Sequence, residues 1–339
     1  MYDAFREAGG NFIDTANLYT NGASESFLGE FTEGPPPERS AGYEIHQCRS
    51  GQRPECGNQR NHHRVASRDD WTHKVSLEEQ AESTKGGLIM SKNHLQQRMT
   101  IADKAILVTG ANRGIGQALV EEALRRGAMR VYAATRQPLV HLDGRVTPLM
   151  LDVTNAAQTQ GAVERVESLD ILINNAGLAL YDDLSDRAAL ERHLAVNLFG
   201  TYGVTQAFLP LLIRSRGAIV NVLSVTAFAA LPLIPAYSIS KAAAFSLSQS
   251  LRARIAGLGV RVHAVLTGPV DTEMSRGLDI PKASPEFVAR AIFDGVEKGE
   301  EDIFPDPMSE SMAESWRSGA AKALERQFAA LVEAAPVNS

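Results

Sequence analysis

Between Thr109 and Gly116 the chain reads TGANRGIG, with Gly110, Gly114 and Gly116 set between a strand-like run, KAILV, and a helix-like one, GQALVEEALRRG. Few short stretches constrain a fold more. Missing side chains permit a tight turn, close backbone approach to a pyrophosphate, and close helix packing, while the helix N-terminus offers free N–H groups and partial positive charge. The spacing is Gly-x3-Gly-x-Gly, and no Lys-Ser/Thr follows to make a triphosphate loop. Ala118, Leu119, Ala123 and Leu124 then keep helical apolar spacing up to Gly127, which suits a helix C-terminus.

From Met99 onward, apolar β-branched runs alternate with amphipathic stretches: KAILVTG, RVYAATR, TPLMLDV, LDILINNAG, GAIVNVLS, VRVHAVLTG and EDIFPDP. Strands separated by helices imply an α/β fold, a doubly wound parallel sheet of Rossmann type with helices on both faces. One last helix is expected over roughly 309–333. Before Met99 the pattern fails, because Pro35–Thr84 holds only Ile45, Val65, Val75 and Leu77 as branched apolar residues. Three units follow: residues 1–33, a poorly ordered 34–98, and a dinucleotide-binding domain over 99–339.

A formal charge of −6 and a pI near 5.8 leave no basic footprint for nucleic acid or an anionic membrane. The first residues lack a signal-peptide pattern, and the apolar run AFAALPLIPAY is too short to span a bilayer, so a cytoplasmic protein acting on a small molecule is expected. About twenty residues past the glycine turn, where a carboxylate would grip the ribose of NAD, stand Thr135 and Arg136. Arg136 and Arg113 suit the 2′-phosphate of NADP, and Asp152 with Val153 suits the adenine.

Tyr237 lies four residues before Lys241, on one face at the start of a helix, and Ser224 lies thirteen residues upstream at a strand end. An ammonium beside a phenol is expected to pull its pKa down from about 10, toward a value useful in acid–base catalysis.

TGANRGIG, LDV, NNAG at 174–177, AVNLFG around Asn197, Ser224, YSISK and GPVDT occur in this order. Over Met99 to about Pro307 the chain therefore resembles the short-chain dehydrogenase/reductase family. The resemblance implies a catalytic set of Asn197, Ser224, Tyr237 and Lys241, with Asn197 supporting a water that links Lys241 to solvent. It also implies cofactor contacts from Ile115, Asn175, Tyr237, Lys241 and the backbone near Val270 and Thr272. The implied reaction passes a hydride between NADPH and a carbonyl while Tyr237 moves the proton, Ser224 holds the oxygen, and Lys241 tunes the phenol and holds the nicotinamide ribose. Thr267 stands where the family usually has proline, which is expected to relax that loop. Phe228, Leu231, Leu233 and Ile234, with Met274, Leu278, Ile280 and Pro281, suggest an apolar substrate pocket, and a homo-oligomer is plausible. The competing class is a catalytically silent nucleotide sensor or partner-binding protein on the same fold.

Ala8–Phe31 resembles the aldo/keto reductases, with Asp14 and Tyr19 matching two members of that family's catalytic set and no barrel to support them. Back-translated with chosen permitted codons and read one base later, Gly42–Gly57 continues the same resemblance, so 34–98 is read as a frameshifted remnant. His46, Cys48, Cys56, His62 and His63 are metal-ligand types, but their spacing matches no tight Cys-x2-Cys knuckle, and no metal site is expected.

Overall fold

The computed structural model describes residues 99–334. The readings made above for residues 1–98, namely the 1–33 fragment, the 34–98 segment and its His/Cys group, lie outside the described residues.

Seven strands form the sheet: β1 (Ala105–Thr109), β2 (Arg130–Thr135), β3 (Val146–Met150), β4 (Ile171–Asn174), β5 (Ala218–Val222), β6 (Arg261–Val265) and β7 (Asp302–Ile303). Every pairing is parallel, in the order β3-β2-β1-β4-β5-β6-β7. Each strand was legible as an apolar run because a parallel sheet is covered on both faces. In β1 the pleat sends Ile106 and Val108 to one face and Ala105 and Leu107 to the other.

Helices α1 (Gly114–Arg125) and α6 (Pro285–Lys298) close the first face through Leu119, Val120, Ile292 and Phe293. The second face is covered by α2 (Ala156–Arg165), α4 (Thr201–Ser215) and α5 (Pro235–Ile255), using Ala162, Val204, Phe208, Leu212, Leu251 and Ile255. Helix α3 (Arg187–Leu194) runs into α4 through a π-turn, Ala195–Gly200. The continuous helix Arg187–Ser215 is long and apolar enough by composition to cross a membrane, unlike any run singled out in the sequence. Its apolar residues Val204, Phe208 and Leu212 are buried against the sheet.

The C-terminal helix expected over 309–333 is two helices, α7 (Pro307–Arg317) and α8 (Ala320–Ala334). The break falls at Gly319, where a Cβ would stand 2.7 Å from the Ser315 carbonyl oxygen, tolerable only without a side chain. Beyond it, the Lys322 ammonium is buried among Glu301 (2.9 Å), Asp302 (2.6 Å) and Glu325 (3.0 Å). Arg252 of α5 joins the same carboxylates at Asp302 (2.8 Å) and Glu325. Burial alone would raise the Asp302 carboxyl, but the charges of Arg252 and Lys322 and hydrogen bonds from Lys322 and the Trp316 indole hold it below the usual carboxylate range. This network fastens α8 to α5 and to the edge strand.

Lys322→Ala leaves buried carboxylates short of a partner and is expected to cost about 3 kcal/mol at pH 7, measured by urea unfolding. Because folding lowers the Asp302 pKa, the stabilisation is present above the unfolded carboxylate value and fades as pH falls through the folded one. The gap between the two proteins should therefore narrow below about pH 4.

Candidate active site

The sheet order reverses between β1 and β4, so the chain ends leaving those two strands diverge and open a crevice at the carboxyl edge of the sheet. Residues singled out from the sequence cluster along that edge: Gly110 after β1, Arg136 after β2, Asp152 and Val153 after β3, Asn175 after β4, Ser224 after β5, and Val270 and Thr272 after β6.

The glycine turn is shaped by close contact. Gly110 and Gly114 have φ of 66° and 52°, and a Cβ on Gly116 would lie 2.1 Å from the Gly110 carbonyl oxygen. Thr272, from the loop after β6, reaches the turn, its Cγ2 falling 3.0 Å from a Cβ built on Gly114. Ile115, in the first turn of α1, is half-buried and packs on the core. Asn175, expected to face the cofactor, braces the turn from behind: its Nδ2 donates to the Thr109 (3.0 Å) and Gly110 (3.3 Å) carbonyls.

Arg136 is exposed just past β2. Arg113 is exposed and paired with Glu273 on the loop after β6, its Nη1 2.5 Å from the carboxylate. One oxygen of Asp152 accepts from the Thr154 backbone (2.9 Å) and hydroxyl (2.7 Å). Hydrogen bonds to Thr154 lower its pKa, with a smaller effect from Arg136. Val153 lies where a Cβ on Gly200 would meet it, under the π-turn.

Asn197, Ser224, Tyr237 and Lys241 are all buried. The Lys241 ammonium donates to the Val222 carbonyl at 2.8 Å, and burial lowers its pKa to about 8. Burial pushes the Tyr237 phenol up to about 12, against the lowering effect of its hydrogen bond with Ser224. The expectation of a phenol pKa below about 10 is thus corrected. The Lys241 nitrogen lies 5.6 Å from the Tyr237 ring centroid, and burial is the largest effect on each of the two groups. Asn197 sits in the π-turn, accepts from the Leu178 N–H (2.8 Å) and donates to the Leu178 carbonyl (2.9 Å) and the Ser240 hydroxyl (2.8 Å). Its Oδ1 and the Lys241 nitrogen converge on Gly177, at 3.4 and 3.7 Å from a Cβ built there.

One further expectation changes. Thr267 does not relax its loop: its hydroxyl donates to the Leu223 carbonyl at 3.0 Å, tying the β6 exit to the residue before Ser224. Phe228 stacks on Trp316 with ring centroids 4.5 Å apart, packs against Phe245 and Phe304, and lines a cavity with Phe245, Trp316 and Phe328. Leu233, Met274 and Ile280 are exposed beside the crevice. Sequence reasoning missed the π-turn and the service of Ser240; the second serine of YSISK was the one available signal for the latter. Among the described residues no group of His, Cys, Asp and Glu could hold a metal ion.

A family model for short chain dehydrogenases matches residues 104–282, and one for the aldo/keto reductase family matches residues 1–46. "Short-chain dehydrogenase PC-15" of Penicillium crustosum is 40% identical over 186 residues, covering 50% of this chain and 66% of that protein. "2-(S)-hydroxypropyl-CoM dehydrogenase 3" of Xanthobacter autotrophicus is 35% identical over 208 residues, covering 57% and 82%. Among solved structures, a short chain dehydrogenase from Burkholderia cenocepacia in complex with NADP is 38% identical with a TM-score of 0.63, covering 68% of this chain and 98% of that one.

Lys241→Met is expected to stabilise the protein at pH 7 by about 2 kcal/mol, because a desolvated ammonium is removed. The folded pKa is lowered from 10.5 to about 8, so between those values the unfolded wild-type chain binds more protons and wild-type stability rises with pH. The advantage of the variant should shrink between pH 8 and 10.5, read from urea titrations at the two ends.

Proposed function

The chain belongs to the short chain dehydrogenase family, and from that we propose that it is an NADP(H)-dependent oxidoreductase interconverting a carbonyl and an alcohol on a small, largely apolar molecule. The observation that carries this reading is the burial of Ser224, Tyr237 and Lys241 together at the carboxyl end of β5, with the Lys241 ammonium held at the Val222 carbonyl and 5.6 Å from the Tyr237 ring centroid.

The crevice fits a dinucleotide phosphate. Its glycine turn presents the N-terminus of α1 with no side chains in the way, no carboxylate follows β2, and the exposed Arg136 supplies a charged fork for a 2′-phosphate. Gly110, Gly114, Ile115 and Gly116 would hold the pyrophosphate, Asp152 and Val153 the adenine, and Lys241 with the Val270 and Thr272 backbone the nicotinamide end. Bound there, NADP(H) supplies or accepts the hydride.

The protein's residues supply position and a proton. Ser224 donates to the substrate oxygen and holds it against Tyr237. The phenol, kept protonated by burial, gives its proton to that oxygen as the carbonyl is reduced and takes it back in oxidation. Developing phenolate would be stabilised by the ammonium of Lys241, which at pH 7 is largely protonated. Asn197 keeps the 178 backbone and Ser240 in register with that ammonium. The leverage is placement and a dry, preorganised environment. The exposed Leu233, Met274 and Ile280 support an apolar preference and nothing narrower.

Tyr237→Phe removes the proton donor and little volume. Turnover on a panel of ketones and aldehydes should fall by at least about 10³-fold while NADPH affinity stays within a few-fold. NADPH binding by wild type without turnover on any substrate would instead favour a sensor. Arg136→Ala should weaken NADP by about 10-fold or more while leaving NAD nearly unchanged, read by titration of the two nucleotides; a parallel loss would displace the phosphate from Arg136.

A further inference from the structure

Helix α5 carries Tyr237 and Lys241, yet its own sequence does not cap it. Ile234 occupies the N-cap position without a side-chain acceptor, and Pro235 contributes no N–H. The Ala236 N–H points instead at the carboxylate of Asp182, 3.3 Å from each oxygen and 54 positions away in the chain. A carboxylate there meets the positive end of the helix dipole and one of its orphan donors.

Asp182 stands in the connection between β4 and α3, which leaves the site at Gly177 beside Asn197 and Lys241. That connection is fastened at two earlier points. Leu178 exchanges hydrogen bonds with Asn197, and the Leu180 N–H donates to His193 Nε2 at 3.0 Å, while His193 Nδ1 donates to the Ala189 carbonyl. Asp182 makes the third attachment, and the only one of the three that lands on α5. The turn that aims it is strained: Leu184 has φ of 65°, a region a leucine rarely enters, and its N–H donates to Asp182 at 3.2 Å. Strain of this kind persists where the surroundings over-determine a backbone, and here they set one carboxylate against one helix end. The neighbouring Asp183 bonds only Ser185, inside the turn.

We propose that Asp182 is a positioning residue for Tyr237: it supplies the N-cap that α5 lacks and locks the connection beside the substrate to the helix bearing the proton donor. The inference rests on the reaction proposed above, in which the phenol must meet an oxygen held by Ser224. Tyr237 follows Ala236 directly, so a loosened first turn displaces the phenol before it displaces Lys241 one turn deeper.

The test compares Asp182→Ala, Asp182→Asn and, as a control, Asp183→Ala, in the full chain. Amide hydrogen exchange is read at Ala236 and Tyr237, together with kcat, KM for a carbonyl substrate and the Kd for NADPH. In Asp182→Ala the first-turn amides should exchange about tenfold faster and kcat fall about tenfold, with the NADPH Kd within twofold. Asp182→Asn, which keeps an acceptor, should recover most of both, and Asp183→Ala should match wild type. Unchanged exchange in Asp182→Ala would overturn the proposal. So would a loss of kcat that Asn fails to rescue, since that would make the charge, not the cap, the active element. If wild type turns over no carbonyl or alcohol but the exchange pattern appears as stated, the cap stands and the reaction assigned above falls.

Discussion

The hydrogen bond from the Lys241 ammonium to the Val222 carbonyl is the point on which the site depends. It places a charge at the carboxyl end of β5, where leaving water is costly, and no carboxylate among the described residues is hydrogen-bonded to it. The protein tolerates that cost because the same nitrogen stands beside Gly177 and below the Tyr237 ring, where a phenolate would form. Around it the polar groups are satisfied by one another: Asn197 by Leu178 and Ser240, Ser240 by the Tyr237 carbonyl, Ser224 by the Thr226 N–H. A buried charge is stable only inside such a network, and the network in turn fixes the side chains proposed to meet the substrate.

A second buried polar chain extends the order into the sheet. Asn174 donates to Thr205 and Asn221, and Asn221 donates to Ser248, linking β4, α4, β5 and α5 in three bonds. These side chains hold the register between two central strands and two covering helices. The carboxyl edge of the sheet is thereby a rigid platform, on which the glycine turn and the loop after β6 face one another through Gly114 and Thr272.

The strands, and with them the fold, were legible because each is an apolar run that must be covered on two sides, and the glycine turn announced where the first crossover begins. The residues proposed to be catalytic were picked out because their order along the chain matched a family pattern, not because periodicity locates a phenol. Interactions made between distant segments stayed hidden. Arg113 meets Glu273 across 160 positions, Asp182 caps a helix 54 positions away, and Phe228 stacks on Trp316. The sign of the Tyr237 shift was misjudged for a related reason: burial, which one sequence does not reveal, is the largest effect on the phenol. The split of the last helix at Gly319 was concealed by an apolar pattern that continues across it.

The central claim is that the chain passes a hydride directly between nicotinamide and substrate carbon at the Ser224–Tyr237–Lys241 site. The most direct measurement uses NADPH deuterated at one face of C4, then the other, with any ketone the protein reduces, and mass spectrometry of the alcohol. The account predicts one deuterium on the carbinol carbon from one face of the nicotinamide and none from the other, with the hydroxyl proton drawn from solvent. An alcohol carrying no deuterium from either face, or equal label from both, would contradict it.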